Sequence, residues 1–336
     1  MQYKSLKGFS GGGQLGILIL FLGLGFILAG GAQLYIGLQM IPEGTSFAKM
    51  GDAMLKAMMD PKNISLARLS QVLGTFLLMF IPAVLYSLLV NGKNFFWLGF
   101  SRYFTFKQVL IGFFLILVAS LLAAPLADFS KSIVAHYPSV DAVAKKLEDT
   151  YNEQVLALSN LKSWGEYILA IFIMAFFPAL FEEVFFRGAM QNLLEKWWKR
   201  PLLAIFVTAV IFSIIHFSIY LFLSRLVLGF VLGMMYYKTR NIWVNIVAHF
   251  LNNAIAVSQL FYLSNQKEKL DLDKMEPQLP WWVGVLAIII LFFLFKWLEK
   301  FSIANKARIE AKEAIIIAKA DPFHSFAVNE NNESGN

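Results

Sequence analysis

Glu182, Glu183 and Arg187 stand in the stretch FEEVFFRG, with YILAIFIMAFFPAL just before it and AMQNLL after it. Charge is costly in so apolar a setting, and ionisable residues inside a membrane are functional candidates by default. Further along, IFSIIHF supplies His216, and VAHFLNNAI supplies His249, Asn252 and Asn253. Glu183 and Arg187 are four apart, so on a helix they share a face and can pair. Glu182 points about 100° away from Glu183 and has no partner on its own helix. His249 and Asn253 are also four apart and project from one face, with Asn252 at its edge.

This set of groups suits peptide hydrolysis. Glu182 can take a proton from water, and His216 can orient that water or share the proton. His249 and Asn253 can donate hydrogen bonds to the oxyanion that develops on a carbonyl. The chain has no cysteine, which excludes disulfides, thiolate chemistry and cysteine-ligated zinc. The expectation is a site without a cofactor. Zinc held by Glu182, His216 and His249 is the alternative, because two imidazoles and a carboxylate leave one position for water. Each residue also has a plain structural reading. Glu183–Arg187 can be a buried ion pair and nothing more, and the histidines or Asn253 can simply hydrogen-bond between helices.

The elements that must position these groups are membrane helices. Of the 336 residues, 58% are hydrophobic and only 15% charged, against about 25% charged in soluble domains. Runs long enough for a span of roughly 20 residues fall at about 15–40, 72–91, 108–127, 165–190, 201–217, 220–237, 242–263 and 281–298. The fold class expected is therefore all-α and polytopic, with about eight transmembrane helices. All eight tryptophans fall near the ends of these runs, where amphipathic rings settle in a bilayer. The net charge of +7 comes from short basic segments between apolar runs, so it reads as a topology signal and not as nucleic-acid binding. Both termini are expected on the cytoplasmic side, in a bacterial inner membrane.

Four regions are expected: 1–71 with the first span and an amphipathic loop, 72–164 with spans two and three and an outer loop, 165–263 with the four spans that carry the polar set, and 264–336 with the last span and a basic tail. The segment TSFAKMGDAMLKAMMD, part of 139–160 and the tail segment IANKARIEAKEAIIIAKA each look like helices lying outside the bilayer. Pro82, Pro125 and Pro178 lie within spans and should bend them. Gly229 and Gly233 are a small-xxx-small pair that lets a second helix come close. The turn between spans four and five falls near Lys199–Arg200–Pro201. Glu182 lies roughly 18 residues before it and His216 about 16 after, so at ~1.5 Å per residue the two reach similar depth. His249 matches that depth less well.

EEVFFR fits the pattern EExxxR, FSIIH (212–216) fits FxxxH, and HFLNN (249–253) fits HxxxN. In order and wide spacing these resemble the CPBP intramembrane endopeptidases, the group of CAAX prenyl endopeptidases and bacteriocin-processing or self-immunity proteins. The resemblance covers roughly residues 165–255. It implies an all-helical membrane protease in which Glu182 with His216 activates water, His249 and Asn253 form the oxyanion site, and Glu183 and Arg187 support the first helix. The family's prenyl-processing members are regarded as metal-independent glutamate proteases. The implied partners are the lipid bilayer and a peptide or protein substrate, lipidated or not. Two other classes compete: a catalytically idle immunity or scaffold protein, and an ion-coupled transporter. The transporter fits less well, because the ionisable residues crowd into spans four to seven with no matching set in the first three.

Overall fold

The computed structural model describes residues 3–158, 161–266 and 278–320. We number its main helices α1 (Gly11–Leu38), α2 (Phe47–Met59), α3 (Pro61–Asn91), α4 (Phe106–Val134), α5 (Pro138–Leu158), α6 (Trp164–Trp198), α7 (Pro201–Ile214), α8 (Phe222–Thr239), α9 (Ile242–Ser264) and α10 (Trp281–Ala320). Six of them (α1, α3, α4, α6, α9 and α10) are long and apolar enough to cross a membrane. The other two expected spans are the short apolar α7 and the polar-ended α8, which carries Arg225 and Lys238. The chain is an all-helical, integral membrane protein.

Helix starts are written locally. The Ser10, Ser163 and Asn241 side chains each accept a backbone N–H of the first turn, and Thr105 with Gln108 forms a capping box at α4. Such caps satisfy donors that a helix end leaves orphaned. Two of the three prolines within spans are accommodated by a specific device. Pro82 and Pro178 each follow a π-helical turn, Phe76–Phe80 and Ile171–Phe176. In these turns Ile81 N–H bonds to Phe76 O, and Phe177 N–H to Phe172 O. The wider turn moves the carbonyl that a proline ring would strike. Pro125 instead sits within α4 and packs where α10 has Gly284.

The expected amphipathic helices are α2 and α5. The tail segment is not a separate surface helix: it continues the last span as the second half of α10. There Lys196 reaches Glu313 at 2.6 Å, and Ile309 packs with Phe96 and Trp97. Contacts with the core hold this half of α10 against the bundle. Asn305 and Ser302 pair with Gln108 of α4. The closing NENNESGN lies outside the described residues.

Helix α6 is the axis of the molecule. One apolar core joins it to α1, α3 and α7, and a second joins α4, α8, α9 and α10. The interface between α6 and α8 is polar. Arg187 donates to Gly229 O at 2.9 Å, and Gln191 to Gly233 O at 2.9 Å. Gly233 has to be small, since a Cβ there would stand 2.7 Å from Ile205 Cγ2 of α7. The glycine pair therefore admits α7 on one side and offers its carbonyls to α6 on the other.

Candidate functional site

Of the residues singled out by type and spacing, Glu182, Glu183, Arg187, His216 and His249 converge where α6, α7 and α9 meet. On α6 the eight residues Val184–Gln191 form a π-helical stretch, every one of them buried. Glu183 precedes it and Arg187 lies inside it. Arg187 Nη1 donates to Glu183 Oε1 at 2.8 Å, with both side chains fully buried. An ion pair so placed requires its remaining polar atoms to be satisfied. Glu183 meets that requirement with two groups from α9: Asn245 Nδ2 donates to Oε2 at 3.2 Å, and His249 Nδ1 lies 2.9 Å from Oε1.

Glu182 is in the opposite situation. Its Oε2 is buried and has no hydrogen-bond partner among the described residues. Across from it stands His249 Nε2, at 3.9 Å. Its side chain keeps 13% exposure where that of Glu183 keeps none. One glutamate is locked and its neighbour is free. His249 lies between them, with one ring nitrogen toward each.

The tautomers follow from the acceptors. An ionised carboxylate only accepts, so His249 Nδ1 carries the proton given to Glu183, and Nε2 is the nitrogen facing Glu182. His216 Nδ1 lies 2.6 Å from Phe212 O. A carbonyl oxygen also only accepts, so here too Nε2 is left over. His216 lies just past the end of α7, with Glu182, Arg225 and His249 all in electrostatic reach. Phe217, the next residue, has φ of 51°, a left-handed conformation that is uncommon for an aromatic residue. Ser218 steadies this turn by accepting Leu221 N–H, and Arg225 does so by donating to His216 O at 3.0 Å.

His249 reaches Glu182 more closely than residue counting from the turns suggests. Arg240, in the turn before α9, pairs with Glu195 at 2.8 Å. The turn is thus level with Glu195 and not with the end of α6. Between Glu195 and Glu183 the wide π turns also advance less per residue than α turns. Asn253 lies one turn beyond His249, half-buried. Its Oδ1 accepts from Asn252 Nδ2, and Asn252 Oδ1 in turn accepts from Ser120 of α4.

Two residues here went unassigned from sequence. Asn245 is fully buried and also donates to Leu232 O at 2.7 Å. Its signal was available: 245, 249 and 253 form a four-residue ladder of asparagine, histidine and asparagine. Phe212 is a wedge, with its ring 4.6 Å from that of His216 and 5.0 Å from the Arg187 guanidinium carbon. Its signal was the FxxxH spacing, which sets Phe212 one helical turn before His216, although that spacing gave it no role of its own. Among the described residues, no three histidine, aspartate or glutamate side chains are arranged to hold a metal ion.

Residues 164–255 match the model of a protein family described as type II CAAX prenyl endopeptidase Rce1-like. The match spans α6, α7, α8 and most of α9, and contains every residue of the cluster. A curated protein from Bacillus subtilis (strain 168), "Uncharacterized protein YpbD", is 29% identical over 105 residues. That alignment covers 30% of this chain and 51% of the relative, so the chain spans about half the length of the protein it matches. No solved structure matches.

Proposed function

We propose that this chain, whose 164–255 segment matches the Rce1-like endopeptidase family, is an intramembrane endopeptidase acting on a peptide or protein in the membrane, lipidated or not. The observation that carries this reading is the contrast between the two glutamates: Glu183 is saturated by Arg187, Asn245 and His249, while Glu182 keeps an unpartnered buried oxygen beside an imidazole. A saturated carboxylate is structural, and a free one can work as a base.

In this mechanism water gives a proton to Glu182 as its oxygen attacks the peptide carbonyl carbon. His216 Nε2 accepts a hydrogen bond from the same water and orients it. His249 and Asn253 donate hydrogen bonds to the oxyanion. The C–N bond then breaks, and the proton passes from the Glu182 carboxyl to the leaving amine. Glu183 and Arg187 hold α6 and aim His249. No metal enters this scheme. We place the basic end of the bundle, where the described start of the chain and the end of α10 meet, on the cytoplasmic side of a bacterial inner membrane.

The test is cleavage of a peptide library, read by mass spectrometry, by protein in nanodiscs with and without a strong chelator. Glu182→Gln should lower cleavage by about 10²–10⁴-fold, the usual range for losing a general base, without lowering the melting temperature. Chelator should leave wild-type cleavage unchanged. Activity lost on chelation and restored by zinc would replace the water-activating role of Glu182 with metal ligation by Glu182, His216 and His249.

A further inference from the structure

A cavity of about 630 Å³ lies away from the Glu182 cluster, walled by α1, α2, α3, α5 and α6. That volume is in the range of pockets that take small ligands or a few side chains. Four of the residues facing it are methionines: Met54, Met58 and Met59 on α2, and Met174 on α6. Methionine is unbranched and polarisable, and surfaces rich in it accept apolar groups of varied shape. None of the residues of α2 is fully buried, and Met54, Met58 and Met59 are half-buried. The polar part of the lining includes three carboxamides, Gln33, Gln71 and Gln154. A carboxamide both donates and accepts. It complements a peptide backbone, which offers one of each per residue, and has nothing to pair with on a hydrocarbon chain.

Two connections tie this cavity to the reacting groups. Tyr151 of α5 lines the cavity, and the Arg225 guanidinium carbon lies 5.3 Å from the centre of its ring. The same Arg225 donates to the backbone oxygen of His216 at 3.0 Å. The second connection is α6, where Met174 precedes Glu182 by eight residues, about 12 Å along a helix. An extended peptide covers that distance in about four residues.

We propose that this cavity is a recognition subsite for a large apolar side chain of an extended peptide substrate, about four residues from the bond that Glu182 attacks. The proposal rests on the endopeptidase reading, and its test separates the two. Dye-labelled peptides in which Ala, Leu or Phe is moved along the sequence are titrated against the Glu182→Gln protein in nanodiscs, and binding is read by anisotropy. One position should bind about tenfold tighter with Leu or Phe than with Ala, the scale of burying one large side chain. Met58→Trp and Gln154→Trp fill the cavity from α2 and α5, and each should bring that ratio close to one while melting stays at the wild-type temperature. The wild-type protein should then cut the same peptides about four residues from that position. A preference that both tryptophan variants leave intact overturns the subsite, as does cleavage with no preference at all. Preferential binding that both variants erase, with no cleavage by wild type, supports the peptide site and sinks the endopeptidase reading alone. A phospholipid retained in native mass spectra, undisplaced by saturating peptide and absent from both variants, assigns the cavity to a lipid chain and overturns the proposal.

Discussion

Glu183 and Glu182 are adjacent in sequence and opposite in circumstance, and the first expected outcomes follow from that contrast. Arg187→Met leaves Glu183 as a fully buried charge without its cation. Removing one member of such a pair costs about 3–5 kcal/mol, so the variant should melt far below wild type in detergent. Glu183→Leu with Arg187→Met removes both charges and should lose less stability than the sum of the two single changes. A strictly additive double-mutant cycle would contradict the pairing. Asn245→Leu keeps the ion pair but strips Glu183 Oε2 of its donor. A cost of about 1–3 kcal/mol is expected for the unsatisfied oxygen. Because Glu183 also holds His249 Nδ1, the nitrogen-15 signature of the His249 ring should shift as well. An unchanged ring signal would mean that Asn245 only packs.

At the scale of elements, α6 is the piece that organises the rest. Its ladder of Glu183, Arg187, Gln191 and Glu195 meets α9 through Asn245 and His249, α8 through Gly229 O and Gly233 O, and the α8–α9 turn through Arg240. A helix held by charged and amide side chains in an apolar medium has few alternative registers, because any slip leaves several of them unpaired. Gly233→Ala tests the fit. The added Cβ would meet Ile205 Cγ2 at 2.7 Å and Gln191 Oε1 at 3.0 Å. Overpacking of that kind costs about 1–3 kcal/mol. The variant should melt lower, and Gly16→Ala on α1, where a Cβ meets nothing within 4 Å, should not.

At the scale of the molecule, α5 bridges α2 and α3 to the turn after α7. It meets α2 and α3 on one side, and on the other it reaches the turn that carries His216. Ser218 donates to Glu148 at 2.8 Å, and Tyr220 donates to Asp141 at 2.7 Å. The hydrogen bond to the Asp141 carboxylate, with the acidic groups around it, pushes the Tyr220 hydroxyl up to about 12. A raised folded-state value means this tether is at full strength below the unfolded tyrosine value of about 10. It is then lost as pH rises through about 12. Hydrogen exchange over α5 and residues 216–221 should therefore increase in that alkaline window, and Tyr220→Phe should show the faster exchange already at neutral pH. A Tyr220→Phe protein with wild-type protection at neutral pH would mean the tether carries no weight.

The amino-acid sequence by itself determined a polytopic helical protein, because apolar runs of span length can be satisfied in lipid only as helices. It also picked out Glu182, Glu183, Arg187, His216 and His249 as candidates, since ionisable groups in or beside such runs are costly. The pairing of Glu183 with Arg187 was legible too, because four-residue spacing is a local property. What only the tertiary structure decided depends on contacts between segments far apart in the chain. Residue counting could not bring His249 to Glu182, since the level of the α8–α9 turn is set by Arg240 on Glu195. The four-residue spacing singled out Glu182 as the glutamate without a partner on its own helix, but it could not show that Asn245 and His249 of another helix complete the shell of Glu183 alone. The continuous α10 was hidden as well: its tail is held against the bundle by Gln108 and Lys196, residues of helices that no local pattern connects to it.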